Sequence, residues 1–239
     1  MQSLPNQETA LEFSNVGVFY PSKTRLRSKI QKIQKGYWAI KDVSFSINKG
    51  DVLGIIGSNG AGKSTTLAVA SSIMKPDKGT VNTFGNTVTL LSLSAGLVSN
   101  LSGRRNIYLI GLTLGIEEKV ITEKIGRIIR FSELGDFIDK PVETYSSGMK
   151  SRLGFSISII LRPDIMLIDE VLGVGDKRFK RKSSKAIREK LSGEMTAIIV
   201  SHNLVEIEEL CNKVLWIDDG VSRMFGTPQE VIQAYNEFE

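Results

Sequence analysis

The nine residues 57–65, GSNGAGKST, restrict the architecture more than any other part of this 239-residue chain. They fit in full the pattern of a glycine, four further residues and Gly-Lys-Ser/Thr. An apolar run, DVLGIIG from Asp51, leads into them, and a helical pattern follows Lys63. A strand that passes through glycines into a helix N-terminus lets backbone N–H groups curl round an anion. In such a cradle, built from Gly57, Ser58, Asn59, Gly60, Ala61, Gly62, Lys63, Ser64 and Thr65, Lys63 neutralises the charge of β- and γ-phosphates and the Ser64 hydroxyl is placed to hold Mg²⁺. The run before the loop is apolar enough to be buried on both faces, which calls for a mainly parallel sheet covered by helices.

The rest of the chain agrees with an α/β class. Short β-rich runs, LEFSNVGVF and VSFSI, precede the loop, and KPDKG ends the helix behind it. Residues 104–161 read as a mainly helical insert: Ile121, Ile125, Ile128 and Ile129 share one face, and Leu153, Ile157, Ile160 and Leu161 share another. Two apolar strands, IMLID and TAIIV, follow with a basic helix between them. The strand KVLWID turns at DDG, and Thr227, Pro228 and Glu230 form a capping box that opens a C-terminal helix.

Composition narrows the setting. At 41% hydrophobic residues the chain can bury a full core. Its net charge of +5 is local, because residues 13–41 hold seven Lys or Arg and no acid, so the remainder is slightly acidic. The single cysteine, Cys211, excludes an internal disulfide framework and is expected in the core. The opening MQSLPNQETALEF has no basic segment followed by an apolar run, and no window approaches 18 apolar residues, so neither Sec-type export nor an independent bilayer span is expected.

A phosphate loop alone fits a kinase, a GTPase or an ATPase, and the strand ends decide between them. Asp169 and Glu170 close IMLID; an Asp at the carboxyl end of a parallel strand faces the ligand crevice and can hold Mg²⁺ directly or through water. Glu170 is placed to orient and deprotonate a water, which favours hydrolysis over transfer to a second substrate. His202, the only histidine, stands at the next strand end; it is either an ordinary satisfied residue or a group that bonds the γ-phosphate, and its position favours the second.

The segment YSSGMKSRLGFS from Tyr145 brings in a resemblance. Ser146, Ser147 and Gly148, ahead of an amphipathic helix, resemble the LSGGQ signature of ABC-type ATPases, a second anion site at a helix start. The resemblance spans about residues 11–238 and is closest to the ATP-binding subunits of exporters of O-antigen, capsular polysaccharide and teichoic acid, through YSSGM, IDEVLGVGD, LSGRRNI and WAIKDVSF. It implies a P-loop NTPase of ABC type: a RecA-like, mostly parallel core, an N-terminal antiparallel β subdomain and a helical signature subdomain at about residues 100–162, within one nucleotide-binding domain over residues 1–239. It also implies ATP and Mg²⁺, a head-to-tail homodimer in which the signature serves the partner's nucleotide, and a separate polytopic permease. The implied work is export of a lipid-linked polysaccharide from the cytoplasmic face of the inner membrane.

The same resemblance marks departures. Residues 80–110 contain no Gln where the family usually couples nucleotide to the membrane subunit, and Arg105 stands where many relatives have Glu. Tyr20 is the preferred aromatic for stacking on adenine, with Tyr37 and Trp38 as contenders. The chain ends soon after its last helix, so the carbohydrate-binding domain that some O-antigen exporters add there is not expected. Another transported cargo, or a soluble ABC ATPase acting on nucleic acid, are the alternatives. Against the second stand the absence of a second nucleotide domain or coiled coil, and of aromatics interleaved within the basic segment, so no nucleic-acid partner is expected.

Two basic runs remain. In YPSKTRLRSKIQKIQKGYW, residues 20–38, Leu26, Ile30 and Ile33 form an apolar stripe within an insertion at about residues 21–37. Arg25, Arg27 and Lys29 beside it are candidate contacts to an anionic leaflet or lipid headgroup, at about 1 kcal/mol for each cation, with a solvated face as the plainer reading. The run KRFKRK, residues 177–182, reads as the exposed face of a helix.

Overall fold

The computed structural model describes residues 8–21, 36–91, 96–169, 176–193 and 195–238. In chain order the elements are β1 (Thr9–Pro21), β2 (Gly36–Asn48), β3 (Val52–Ile56), α1 (Lys63–Ala70), β4 (Lys78–Asn82), β5 (Val88–Leu90), α2 (Gly103–Thr113), α3 (Glu118–Ser132) and α4 (Ser147–Leu161). There follow β6 (Ile165–Asp169), α5 (Lys177–Leu191), β7 (Thr196–Val200), α6 (Leu204–Leu210), β8 (Lys213–Asp218), β9 (Val221–Gly226) and α7 (Pro228–Phe238). They group into two compact units, Met1–Asn86 with Thr196–Glu239, and Thr87–Met195.

The first unit is built on strands in the order β4-β1-β2-β9-β8-β3-β7. β3 runs parallel to both β7 and β8, and all five residues of β3 and of β7 are buried. Each Leu or Ile so buried contributes about 1.5–3 kcal/mol, which is why these apolar runs are covered along their whole length. Gly54 in β3 lets α6 approach closely, since a Cβ there would come 2.7 Å from Ile207 Cγ2 and 3.1 Å from Cys211 Sγ. Cys211 is core as expected, and burial pushes its thiol up to about 12, which leaves it unreactive. β1 pairs antiparallel with β2 and β4, with Phe13 stacked on Phe45 at 4.6 Å. Asn15, left-handed at φ 51°, sits at a register shift in both pairings, and its amide bonds Asp42.

In the second unit β5 runs parallel to β6, and the helices carry most of the core. Phe131, Phe155 and Phe179, from α3, α4 and α5, meet with centroids 5.8–6.0 Å apart. Asn106 is fully buried and fully used: its amide oxygen accepts from Val98 N–H, and its amide nitrogen donates to the carbonyls of Val98, Leu101 and Ser102. That network fixes the entry to α2. The expected helical region, about residues 100–162, falls inside this unit.

The structure adds elements that periodicity did not announce. β2 begins at Gly36, well before VSFSI, and β4, β5 and β9 were not anticipated. These segments are short, exposed or half-exposed, so they lack the apolar run that marks a buried strand. α4 departs in the opposite sense: from Leu153 to its end every residue is buried, because Gly154, Ser156 and Ser158 turn inward as well as the apolar ones. The two serine hydroxyls donate to the carbonyls of Arg152 and Gly154, which removes the cost of burying them.

Candidate active site

Residues 57–62 join the carboxyl end of β3 to α1, and residues 63–65 form the first turn of that helix. Gly57, Gly60 and Gly62 all have positive φ, at 144°, 84° and 110°. Space forbids a side chain at two of them: a Cβ on Gly57 would lie 2.0 Å from the Ile217 carbonyl oxygen, and one on Gly62 would lie 2.6 Å from Ile40 Cγ2 and 2.7 Å from the Ala39 carbonyl oxygen. Lys63 is buried, and its ammonium donates to the carbonyls of Gly57 and Ser58 at 2.7 and 2.9 Å. The charge therefore sits inside the loop.

The start of α1 is built to receive an anion. Gly62 caps it with no side-chain hydrogen bond, and no acid lies in its first turn. By contrast Ser102, Ser146, Asp176 and Asn203 cap α2, α4, α5 and α6 with their own oxygens. The N–H groups that open a helix point along its positive end, so the start of α1, its dipole and Lys63 all favour negative charge at one place. Ser64 is exposed on this turn and Thr65 is half-buried, whereas the next hydroxyl, Thr66, is spent on the Gly62 carbonyl.

The turn between β8 and β9 braces this loop, a contribution that sequence reasoning missed. Gly220 N–H donates to the Ala61 carbonyl at 3.0 Å, while the Gly220 carbonyl accepts from Lys41 and Asp42 N–H. Lys41 also pairs with Asp219. DDG was legible as a turn, but nothing local says that it reaches residue 61, more than 150 positions earlier.

His202 comes to the same sheet edge as the loop. Ile55 of β3 lies opposite Val200 of β7, so two residues further along the strands the chain reaches Gly57 on one and His202 on the other. His202 is exposed, between Ser201 and the helix-capping Asn203. Ser201 Oγ accepts from Asn203 N–H at 3.1 Å and donates to Glu206 at 3.4 Å, which holds that turn in place.

The aromatic contenders resolve into two pairs on the β1–β2 hairpin. Tyr20 stacks on Tyr37, with centroids 5.6 Å apart and planes at 20°, and its hydroxyl reaches Met74 Sδ at 3.6 Å. Trp38 meets the edge of Phe19 and lies under the Lys78 ammonium. Tyr37 is the most open of the three, at 64% exposure.

In the second unit, Asp169 is exposed at the carboxyl end of β6, and Glu170 lies outside the described residues, as do Arg25, Arg27 and Lys29. Ser146 caps α4 through Met149 N–H at 3.2 Å, and Ser147 is exposed beside it. Gly148 is left without an internal reason to be glycine, since a Cβ there would meet only Ser146 Oγ at 3.9 Å. Tyr145, the first residue of the signature-like stretch, is an anchor: it is buried, it donates to the Phe137 carbonyl, and burial raises its phenol above the ordinary value. Gly103 makes room for it. Arg104 forms a two-pronged pair with Asp139, while Arg105 is exposed.

Among the described residues no group of three or more His, Cys, Asp or Glu converges on a point. Mg²⁺ accepts hard oxygen donors, hydroxyls and carboxylates among them, alongside the phosphates of a ligand. Ser64 and Asp169 have the right chemistry for it. Also among the described residues, no helix is long and apolar enough to cross a membrane.

Residues 40–173 match the family described as ABC transporter. The chain is 42% identical to the O-antigen export system ATP-binding protein RfbB of Klebsiella pneumoniae, over 96% of this chain and 98% of that protein. It is 46% identical to the teichoic acids export ATP-binding protein TagH of Lactococcus lactis subsp. lactis, over 91% of this chain and 47% of that one. A solved structure described as the ATP binding subunit of an ABC transporter superimposes with a TM-score of 0.75 at 20% identity, over 95% of this chain and 94% of that one. A dimeric ATP-binding cassette in a post-hydrolysis state, bound to ADP and Pi, does so with a TM-score of 0.68 at 18% identity, over 91% and 98%. At such identities the two solved structures speak for the fold alone.

Proposed function

This chain belongs to the ABC transporter family, and on that premise we propose that it is the ATP-hydrolysing subunit of an exporter that moves a lipid-linked polysaccharide through a separate membrane permease. One observation carries the reading: the braced, uncapped start of α1 with buried Lys63 lies in a chain that matches an O-antigen export ATP-binding protein over nearly all of both lengths. The polymer is of the O-antigen, capsule or teichoic-acid kind. The chain works at the cytoplasmic face of the membrane, held there by the permease.

In this reading the N–H groups of residues 60–65 and Lys63 hold the β- and γ-phosphates, and Tyr20, with Tyr37 stacked against it, supports the adenine. Ser64 and Asp169 would hold Mg²⁺, which when bound would supply positive charge against the phosphate oxygens. Glu170 accepts a proton from the attacking water, and His202 donates a hydrogen bond to the γ-phosphate, so that its loss is felt at the start of α6. Ser147 and Gly148 act on the nucleotide of a second copy of the chain. ATP thus closes the dimer and hydrolysis reopens it. Arg25, Arg27 and Lys29 are assigned to the anionic membrane surface or to the lipid headgroup of the cargo.

The test is made in cells that carry the chain with its permease. Glu170→Gln should leave ATP binding by the purified chain intact, abolish phosphate release and remove the polymer from the cell surface. Phosphate release near the wild-type rate would overturn the role of Glu170, and unchanged surface polymer in the absence of hydrolysis would overturn the transport reading.

A further inference from the structure

Away from the phosphate loop, the second unit gathers cations that no acid answers. Lys124 and Arg127 belong to α3, Arg162 is the C-cap of α4 with a left-handed φ of 59°, and Lys190 lies in the last turn of α5. None of the four makes an ion pair with a described residue, whereas Lys182 pairs with Glu133 at 2.7 Å and Lys185 faces Glu189 at 3.8 Å. Arg127 and Lys190 line a cavity of about 310 Å³ together with the apolar Phe131, Ile159, Ile160 and Ala186. Its one carboxylate, Glu189, is the group already facing Lys185. Burial, and then repulsion from Arg162, Arg127 and Lys124, push the Lys190 ammonium below the ordinary lysine range.

Helix dipoles account for part of this arrangement. One cation at the end of α4 and one at the end of α5 offset the negative ends of those helices. Lys124 and Arg127 lie well inside α3, where no such gain exists, and they add repulsion. Like charges brought together beside an open, partly apolar hollow, as Arg127 and Lys190 are, cost stability unless something negative enters it. Guanidinium and ammonium groups suit phosphate oxygens, and the apolar lining suits a small hydrocarbon body.

We infer that this cavity binds a small phosphate-bearing ligand with an apolar body, its anion held by Arg127 and Lys190 and its body packed against Phe131, Ile159 and Ile160. The site shares no residue with the phosphate loop or the signature segment. It stands or falls independently of the transport reading.

The test uses the full chain carrying Lys63→Ala, so that binding at the phosphate loop is suppressed. Phenyl phosphate, inorganic phosphate and phosphatidylglycerol vesicles are each titrated by calorimetry, with thermal unfolding alongside. Phenyl phosphate should saturate at one per chain and raise the unfolding temperature, and it should bind more tightly than inorganic phosphate. Adding Arg127→Gln and Lys190→Gln should weaken it by about a hundredfold, at about tenfold for each charge-assisted contact. The same pair should leave the unfolding temperature equal or higher, because repulsion is relieved. If that pair does not fold, Arg127→Gln alone should weaken binding by about tenfold. No binding, or binding unchanged in the variants, overturns the site. Equal affinity for inorganic phosphate overturns the apolar body, and binding to vesicles without binding to phenyl phosphate overturns the small ligand in favour of a lipid surface.

Discussion

Gly57, Gly62 and Gly148 all belong to the candidate site, but they are glycines for different reasons. The first two answer to their own protomer: a methyl group on either would strike backbone, at Ile217 or Ala39, in a conformation that already disfavours a side chain. Gly148 answers to nothing internal. Gly148→Ala should therefore fold as well as the parent or better, by up to about 1 kcal/mol, since Ala is the stronger helix former. Its phosphate release should nevertheless fall by at least about tenfold, because the new methyl occupies ground where a partner's nucleotide must come close. Thermal unfolding and a phosphate-release assay read the two effects separately, and normal turnover would return Gly148 to an ordinary helix start. At this scale the motif residues were legible because their spacing along the chain is itself the signal. The groups that enforce them, Ile40, Ile217 and Gly220, were not, because each meets the loop from a distant part of the sequence.

Among the elements, α7 shows how completely a local signal can be read. Thr227 and Glu230 form the expected capping box: the Thr227 hydroxyl donates to the Glu230 carboxylate at 2.7 Å, and Thr227 N–H does so at 3.2 Å. Thr227→Ala should cost about 1 kcal/mol at neutral pH, the usual worth of an N-cap hydroxyl. The hydrogen bond from the Thr227 side chain, and then that from its backbone, hold the Glu230 carboxyl below its ordinary value. A carboxyl depressed on folding adds stability above its unfolded value and loses it as pH falls through the folded one. The gap in unfolding temperature between parent and Thr227→Ala should narrow in acid, and a gap constant with pH would show that the carboxylate plays no part. Helix caps and buried strands could be read because their causes lie within a few residues. β4, with four of five residues exposed, and the half-exposed β5 could not, since they are strands only because β1 and β6 offer them partners.

For the molecule as a whole, the proposed site is composite: a phosphate loop from one copy and a signature segment from another. Lys63→Ala and Gly148→Ala protomers should each be inactive alone. Mixed in equal amounts, half of the dimers would pair an intact loop with an intact signature once, so activity should recover to as much as about a quarter of the parent's. No recovery, with dimers present by light scattering, would mean that loop and signature act within one chain. The sequence by itself determined the glycine loop between a strand and a helix, the buried β3 and β7, the cap of α7 and the family, because each rests on residue type at short spacing. Only the tertiary structure decided that the β8–β9 turn braces the loop, that Tyr20 stacks on Tyr37, and that Arg127 of α3 and Lys190 of α5 line one cavity. Those depend on which distant segments touch, and hydrophobic patterning sets which face of an element is buried without naming the side chains that meet there.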